Sequence, residues 1–136
     1  MRSIPLLCLA ATLGACAASP QPTMISPAAQ LKLDSLVAGR VAGQSLSCVP
    51  RQVSNDMSII DGRSVGFGSG RSTAYLMQLS EGCELLAGGR YAMVTRQYGG
   101  SGLCSGDIVQ VSDIMNRMTV GSCTIGPIIP YARIRR

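Results

Sequence analysis

The sequence predicts a mainly β fold: a small antiparallel sheet, sandwich or partly open barrel of about six strands, preceded by one amphipathic helix and cross-linked by two disulfides. Short β-compatible segments recur between turn signals, and the chain contains 16 glycines and seven prolines. With no Trp, one Phe and four Tyr, the core has to come mainly from Val, Ile, Leu and Met. A chain of 136 residues is long enough for one such domain.

The first segment of the chain has the pattern of an export signal. Arg2 supplies a positive charge, residues 4–13 form a short apolar run, and small residues lead into Cys16. Because a membrane-spanning helix needs about 20 apolar residues, this pattern indicates a cleaved signal peptide, residues 1–15. Leu13-Gly14-Ala15-Cys16 resembles the lipobox of bacterial lipoproteins, in which Cys16 would be lipidated. Cleavage by ordinary signal peptidase is the alternative, and it would leave a soluble periplasmic protein.

The lipobox resemblance implies a membrane attachment through acyl chains. Two or more such chains make the attachment effectively permanent. Ala17 is not the aspartate that often retains lipoproteins at the inner membrane, so the expected location is the outer membrane, facing the periplasm. Residues 16–26 are small, proline-containing and uncharged, which predicts a flexible tether.

One helix is predicted between this tether and the rest of the domain. Ser26-Pro27 resembles an N-cap followed by proline at the first helical position. Apolar residues then recur at helical spacing as far as Val41, and Gly43 is a plausible stop. The sequence therefore predicts a helix over residues 27–43, with its apolar stripe packed on the domain. A helix lying on the membrane surface is the less favoured alternative, because one Lys and one Arg make a weak polar face.

Residues 44–136 are predicted to form the disulfide-linked β domain. The expected extended segments are residues 47–60, 63–68, 73–79, 91–98, 107–112 and 119–125. Asp61-Gly62 favours a type I′ hairpin turn, which needs positive φ at both central residues.

Cysteine usage predicts two disulfides. Of six cysteines, Cys8 lies in the signal peptide and Cys16 is the expected lipidation site. The remaining cysteines form an even set in an oxidising compartment: Cys48, Cys83, Cys104 and Cys123. Their wide spacing and the absence of His argue against zinc, and no metal site is predicted. Three pairings are possible. Cys48–Cys83 is the least favoured, because a simple meander places these residues near opposite ends of the sheet.

The charge balance is basic, with 12 Lys and Arg against seven Asp and Glu and a net charge of +5. A mild positive field favours anionic neighbours such as lipid headgroups or polyanionic glycans. No nucleic-acid partner is expected, because export removes that partner and no aromatic stacking platform accompanies the arginines. The expected partners are the membrane and an unidentified envelope protein, glycan or lipid.

The absence of His excludes Ser-His-Asp and Cys-His nucleophile systems. Residues 66–70 contain a glycine-rich run that lacks the spacing and the lysine of a phosphate-binding loop, so no cofactor is predicted. No catalytic residue is assigned. A carboxylate pair made of Asp107 with Glu81 or Glu84 is the remaining route to an enzyme, a periplasmic hydrolase.

Three residues are candidates for binding: Asp107, Arg90 and Arg96. Asp107 precedes an apolar strand, and we expect its carboxylate to accept hydrogen bonds from loop N–H groups beside the Cys104 bridge. The two arginines either pair with the acidic residues named above or bind an anionic ligand.

An ordered series of residues carries a further resemblance. The series is Cys48-Val49-Pro50, Ile60-Asp61-Gly62-Arg63, Phe67, Tyr75, Leu79, Cys83, Cys104-Ser105-Gly106-Asp107-Ile108 and Cys123-Thr124-Ile125-Gly126-Pro127. Over residues 47–131 it resembles an uncharacterised family of small exported proteobacterial proteins, a domain of unknown function. Met77 and Pro127-Ile128 depart from the asparagine and the aromatic residue that this family favours. The resemblance supports the domain limits and the pairing of the cysteines but implies no activity.

Together these observations predict a lipid-anchored cell-envelope protein with a non-enzymatic binding or structural role. The alternatives are the carboxylate-dependent hydrolase and a soluble periplasmic inhibitor or stress protein.

Overall fold

A computed structural model describes residues 25–96 and 102–134 of the chain. The predicted signal peptide (residues 1–15), Cys16 and most of the predicted tether lie outside the described residues.

The described chain forms one α-helix and seven strands in an antiparallel half-barrel sheet, which confirms the mainly β prediction. The elements are α1 (Pro27–Val37), β1 (Arg40–Ala42), β2 (Met57–Ile59), β3 (Ser64–Phe67), β4 (Thr73–Leu79), β5 (Tyr91–Thr95), β6 (Ile108–Asp113) and β7 (Thr119–Arg133). Short 3-10 helices cover Arg51–Val53 and Glu84–Gly88. The strand order is β2-β3-β4-β7-β6-β5, and β1 also pairs with β7.

Helix α1 begins as the sequence predicts and ends earlier. The side-chain oxygen of Ser26 accepts a hydrogen bond from the Ala29 N–H at 3.2 Å, which caps the first turn. The predicted end at residue 43 is wrong. The helix ends at Val37, Gly39 turns the chain with a φ of +66°, and Arg40–Ala42 pairs as β1 with the far end of β7. A backbone edge offered by a distant segment therefore overrides the helical spacing.

Strand β7 is the centre of the sheet. It spans 15 residues, pairs with β4 along one edge, and pairs with β6 and then β1 along the other. The connection after β1 joins the second edge as well, because the Gly43 N–H donates to the Pro130 carbonyl at 2.8 Å. Three strands, β1, β4 and β6, thus pair directly with this one long strand.

The predicted last strand, residues 119–125, is too short, because prolines 127 and 130 do not end β7. Pro127 lies where the register with β4 shifts, between the pairs Met77↔Ile128 and Leu79↔Ile125. A β-bulge is one of the few places where a strand tolerates proline. Pro130 lacks an N–H on the edge facing Gly43, where its carbonyl alone accepts a bond.

The sheet buries a core on each face. The main core lies within the half-barrel and contains Val49, Val53, Val65, Phe67, Met77, Leu79, Cys83, Leu86, Leu103, Val109, Val111, Cys123, Ile125 and Ile128. The smaller core lies under α1, where Ala29 and Leu36 pack on Ile60, Ala74 and Leu76. Strand β4 is therefore buried on both faces, because its residues alternate between the two cores.

The β2–β3 hairpin forms where Asp61-Gly62 predicts it, but with a different turn. Neither residue has positive φ, so the turn is not type I′. The Asp61 side chain instead accepts a hydrogen bond from the Arg63 N–H at 2.8 Å. Glycine is required at position 62 because an added Cβ would lie 2.4 Å from the Glu84 Cα. A close approach of two loops, which sequence does not reveal, fixes this glycine.

Two other expected segments need adjustment, and a third agrees with the structure. Within residues 47–60 the structure has a 3-10 turn at Arg51–Val53, and β2 covers only Met57–Ile59. Strand β5 ends at Thr95, and the last two residues of the predicted segment 91–98 lie outside the described residues. The segment predicted over residues 73–79 coincides with β4.

Both disulfides form. Cys48 pairs with Cys104, and Cys83 pairs with Cys123. The disfavoured pairing of Cys48 with Cys83 does not occur. The first bridge joins the segment before β2 to the loop before β6, and the second joins the loop after β4 to β7.

Replacing Leu36 by alanine should lower the free energy of unfolding by about 3 kcal/mol, because it leaves a cavity under α1. Leu31→Ala is the matched control, since the Leu31 side chain is 71% exposed on the same helix, and it should change stability little. Urea unfolding of both variants measures the difference. Equal stabilities for the two variants would show that α1 does not pack on β4.

Candidate functional site

A cavity of about 420 Å³ lies beside the paired strands β5 and β6. Its described lining consists of Val94, Arg96, Gly106, Asp107, Ile108 and Gln110. Val94 lies directly opposite Gln110 in the register of the two strands. Because side chains alternate along a strand, residues 94 and 96 share a face, as do residues 108 and 110. The opposite face carries Val109 and Val111 into the main core.

Asp107 is fixed by the loop that precedes β6. Its Oδ2 atom accepts a hydrogen bond from the Cys104 N–H at 2.8 Å, and its own N–H donates to the Cys104 carbonyl at 3.0 Å. Its carbonyl accepts from the Ile125 N–H at 2.9 Å, which joins the loop to β7. Gly106 makes this tight loop possible with a φ of +92°. The hydrogen bond expected beside the Cys104 bridge is therefore present, and it fixes the Oδ2 atom of the carboxylate.

Arg96 follows β5 directly and lines the same cavity as Asp107. Its side chain is exposed and makes no ion pair with any carboxylate in the described part of the chain. The cavity therefore combines an available guanidinium with exposed apolar surface from Val94 and Ile108. The Gln110 amide, opposite Val94, adds a neutral donor and acceptor to the same lining.

Arg90, the other candidate arginine, lies elsewhere. Its guanidinium donates to the Oδ2 atom of Asp113 at 2.8 Å, at the end of β6. Asp113 is almost completely buried, and its Oδ1 atom accepts from the N–H groups of Met115 at 2.8 Å and Asn116 at 3.1 Å. Arg90 thus pairs with none of the acids that the sequence suggested. Its role is to hold the β6–β7 turn.

The electrostatics of this pair follow from its contacts. The hydrogen bond from Arg90, followed by that from the Asn116 N–H, lowers the pKa of Asp113 from 3.8 to about 2. In return, the hydrogen bond to Asp113 raises the pKa of Arg90. Both groups stay charged at neutral pH.

Glu81 and Glu84 do not join Asp107. Both are exposed in the loop after β4, where their carboxylates lie 3.0 Å and 3.8 Å from the guanidinium of Arg63. The pKa of Glu84 is lowered, chiefly because its carboxylate accepts backbone N–H bonds, its own and that of Gly82. Asp107 is the one carboxylate in the described lining of the cavity. The structure thus brings no predicted acid pair together there.

The sequence did not single out Asp113 or the apolar residues of the cavity. Aspartate is favoured at the first position of a turn, so the sequence Asp113-Ile114-Met115-Asn116 carried a local signal for the turn. Val94 and Ile108 carried no signal, because their place at the cavity depends on the pairing of β5 with β6.

The described residues lack two further features. No cluster of three or more His, Cys, Asp or Glu side chains among them could hold a metal ion. None of their helices is both long enough and apolar enough to cross a membrane.

Comparison of the chain with protein-family models, with curated proteins and with solved structures finds no match. The family resemblance noted in the sequence therefore stays a prediction.

The stability of the protein should fall as the pH drops from about 4 to about 2. Because the pKa of Asp113 is lower in the folded than in the unfolded chain, the unfolded chain binds more protons in this window, and the stabilisation present at higher pH is lost. Asp113→Asn should lower the melting temperature at pH 6 and flatten this acid dependence. Arg90→Gln should flatten it in part. Parallel pH profiles for all three proteins would contradict this.

Proposed function

We propose that the protein is a lipid-anchored cell-envelope protein whose β domain binds a small amphipathic anion in the β5–β6 cavity without transforming it. One observation carries the binding role. The guanidinium of Arg96 has no carboxylate partner in the described chain and lies beside the exposed apolar side chains of Val94 and Ile108.

The lining specifies the chemistry of such a ligand. An anionic head would accept hydrogen bonds from the guanidinium of Arg96, and an apolar body would cover Val94 and Ile108. The amide of Gln110, opposite Val94, would bond a neutral polar group of the ligand at the end away from Arg96. A volume of about 420 Å³ falls in the usual range of small-molecule sites, about 300–1,000 Å³.

The position of the carboxylates supports binding rather than hydrolysis. A glycosidase-type reaction needs two carboxylates facing one cleft. Here Asp107 is held by the Cys104 N–H, while Glu81 and Glu84 lie beside Arg63 in another loop. No second described acid reaches the cavity lining.

Two features support a location in the cell envelope. Two disulfides suit an oxidising compartment such as the periplasm. The segment Leu13-Gly14-Ala15-Cys16 has the pattern for lipidation, and residues 16–26 supply a tether of suitable composition.

The anchor is tested by Cys16→Ala, with Cys8→Ala as the matched control in the apolar run of the signal. The first substitution should release the protein from the membrane fraction or leave it unprocessed, because the lipid acceptor is lost. The second should leave a lipidated protein in the membrane. Cell fractionation and the intact mass of the N-terminus measure both results. An unmodified mature N-terminus in the unsubstituted protein would favour the soluble alternative.

The cavity is tested with anilinonaphthalene sulfonate, an aromatic sulfonate that carries both an anionic group and an apolar body. Arg96→Gln should weaken its binding about tenfold, because a charged hydrogen bond contributes about 1.5 kcal/mol or more. Arg133→Gln, another exposed arginine in the described chain, is the control and should leave the affinity unchanged. Fluorescence titration measures the affinities, and equal losses for both variants would remove Arg96 from the site.

A further inference from the structure

The turn between β6 and β7, residues 114–118, exposes three large apolar side chains to solvent. We call these residues the β6–β7 tip. Ile114, Met115 and Met118 are 56%, 80% and 64% exposed. Single exposed apolar residues are common on protein surfaces, but several together on one protrusion indicate a contact surface.

The β6–β7 tip is held in this conformation by its own hydrogen bonds. The carboxylate of Asp113 accepts from the backbone N–H groups of Met115 and Asn116, and the Asp113 carbonyl accepts from the Arg117 N–H at 2.9 Å. Arg90, the residue before β5, donates a hydrogen bond to the same carboxylate. The methionines are therefore presented outward by a built turn, so a partner does not have to order it.

The charge that accompanies these apolar side chains is positive. Arg117 belongs to the tip, is exposed, and adopts a φ of +54° that few non-glycine residues accept. From residue 108 to residue 136, Asp113 is the one carboxylate in the sequence. It is buried and faces Arg90, so the tip presents apolar and cationic groups to its surroundings.

We propose that the β6–β7 tip inserts into the surface of an anionic phospholipid bilayer. Apolar side chains next to cationic ones are the combination that binds at a membrane interface, where the apolar groups enter the headgroup region and the cations meet anionic lipids. The tip is the convex end of a hairpin, which suits a fluid surface that can close around it. A bilayer is also the surface to which the proposed lipid on Cys16 would hold this domain, so this inference rests on the anchor in the proposed function.

The direction of α1 allows the proposed lipid on Cys16 and the β6–β7 tip to contact the same membrane. The Lys32 side chain bonds the Ile59 carbonyl, whereas Arg40, beyond the helix end, bonds the Ser69 carbonyl. The helix start therefore faces the end of the sheet toward the tip. Successive strand pairings connect Ile59 to Ile128, so these two residues lie at the same level of the sheet. Along β7 the tip lies about ten residues, or about 33 Å, beyond that level. The ten residues from Cys16 to Ser26 span about 35 Å when extended.

The chain has no Trp, so a single introduced Trp reports on its own surroundings. Met115→Trp places it in the tip, and Leu31→Trp places it on the exposed face of α1, where the side chain is 71% exposed. Each full-length lipidated protein is reconstituted into vesicles of phosphatidylcholine, with or without phosphatidylglycerol, that contain brominated lipid. We expect a blue-shifted emission and bromine quenching for Met115→Trp in the anionic vesicles, and neither for Leu31→Trp.

A second substitution tests the electrostatic part. Arg117→Gln in the Met115→Trp protein should reduce quenching in anionic vesicles and change it little in phosphatidylcholine. Equal exposure of both Trp residues to water in anionic vesicles would overturn the proposal and leave the tip as a surface for a protein partner. Flotation of the vesicles reports the anchor separately. If the protein does not float, the same quenching measured with vesicles added to the soluble protein decides whether the tip inserts.

Discussion

The structure depends on the backbone pairing of β7 along both of its edges. Strand β4 occupies one edge, while β6, the residues around Gly43 and β1 share the other. A strand paired on both sides has few N–H and C=O groups left for water, and its two prolines are accommodated because Pro127 lies at a register shift and only the Pro130 carbonyl accepts a bond from Gly43. The cavity and the β6–β7 tip both lie on elements that β7 positions.

Local signals in the sequence predicted the features that local chemistry determines. The Ser26 cap, strand β4, the hairpin around Asp61 and the bond from the Cys104 N–H to Asp107 each depend on residues close together in the chain. The pairing of strands distant in sequence decides the others. The helix stops early because β7 offers an edge to residues 40–42, and β7 continues past Pro127 because a bulge accepts the ring.

In the candidate site too, the sequence indicated the residue types, whereas strand pairing decided which residues lie together. Residue type indicated that Asp107 and Arg96 could matter, and the register of β5 on β6 brings them to one cavity. Arg90, six residues before Arg96, instead forms an ion pair with Asp113. Because β5 and β6 are antiparallel, the start of β5 lies beside the end of β6, away from the cavity. Sequence alone could not assign these partners, because each assignment needs the register of two strands.

The order of the strands and cysteines along the chain affects how this domain folds. β7 follows all of its partners along the chain, and its pairing of Arg133 with Arg40 closes a loop of nearly the whole domain. Folding of such a topology is slow, because the entropy of closing long loops is lost before the contacts form. The bridges also interleave, so a chain that oxidises from its N-terminus brings Cys48 and Cys83 together before either native partner is present. Maturation of this domain therefore favours a compartment that can exchange disulfides as well as form them.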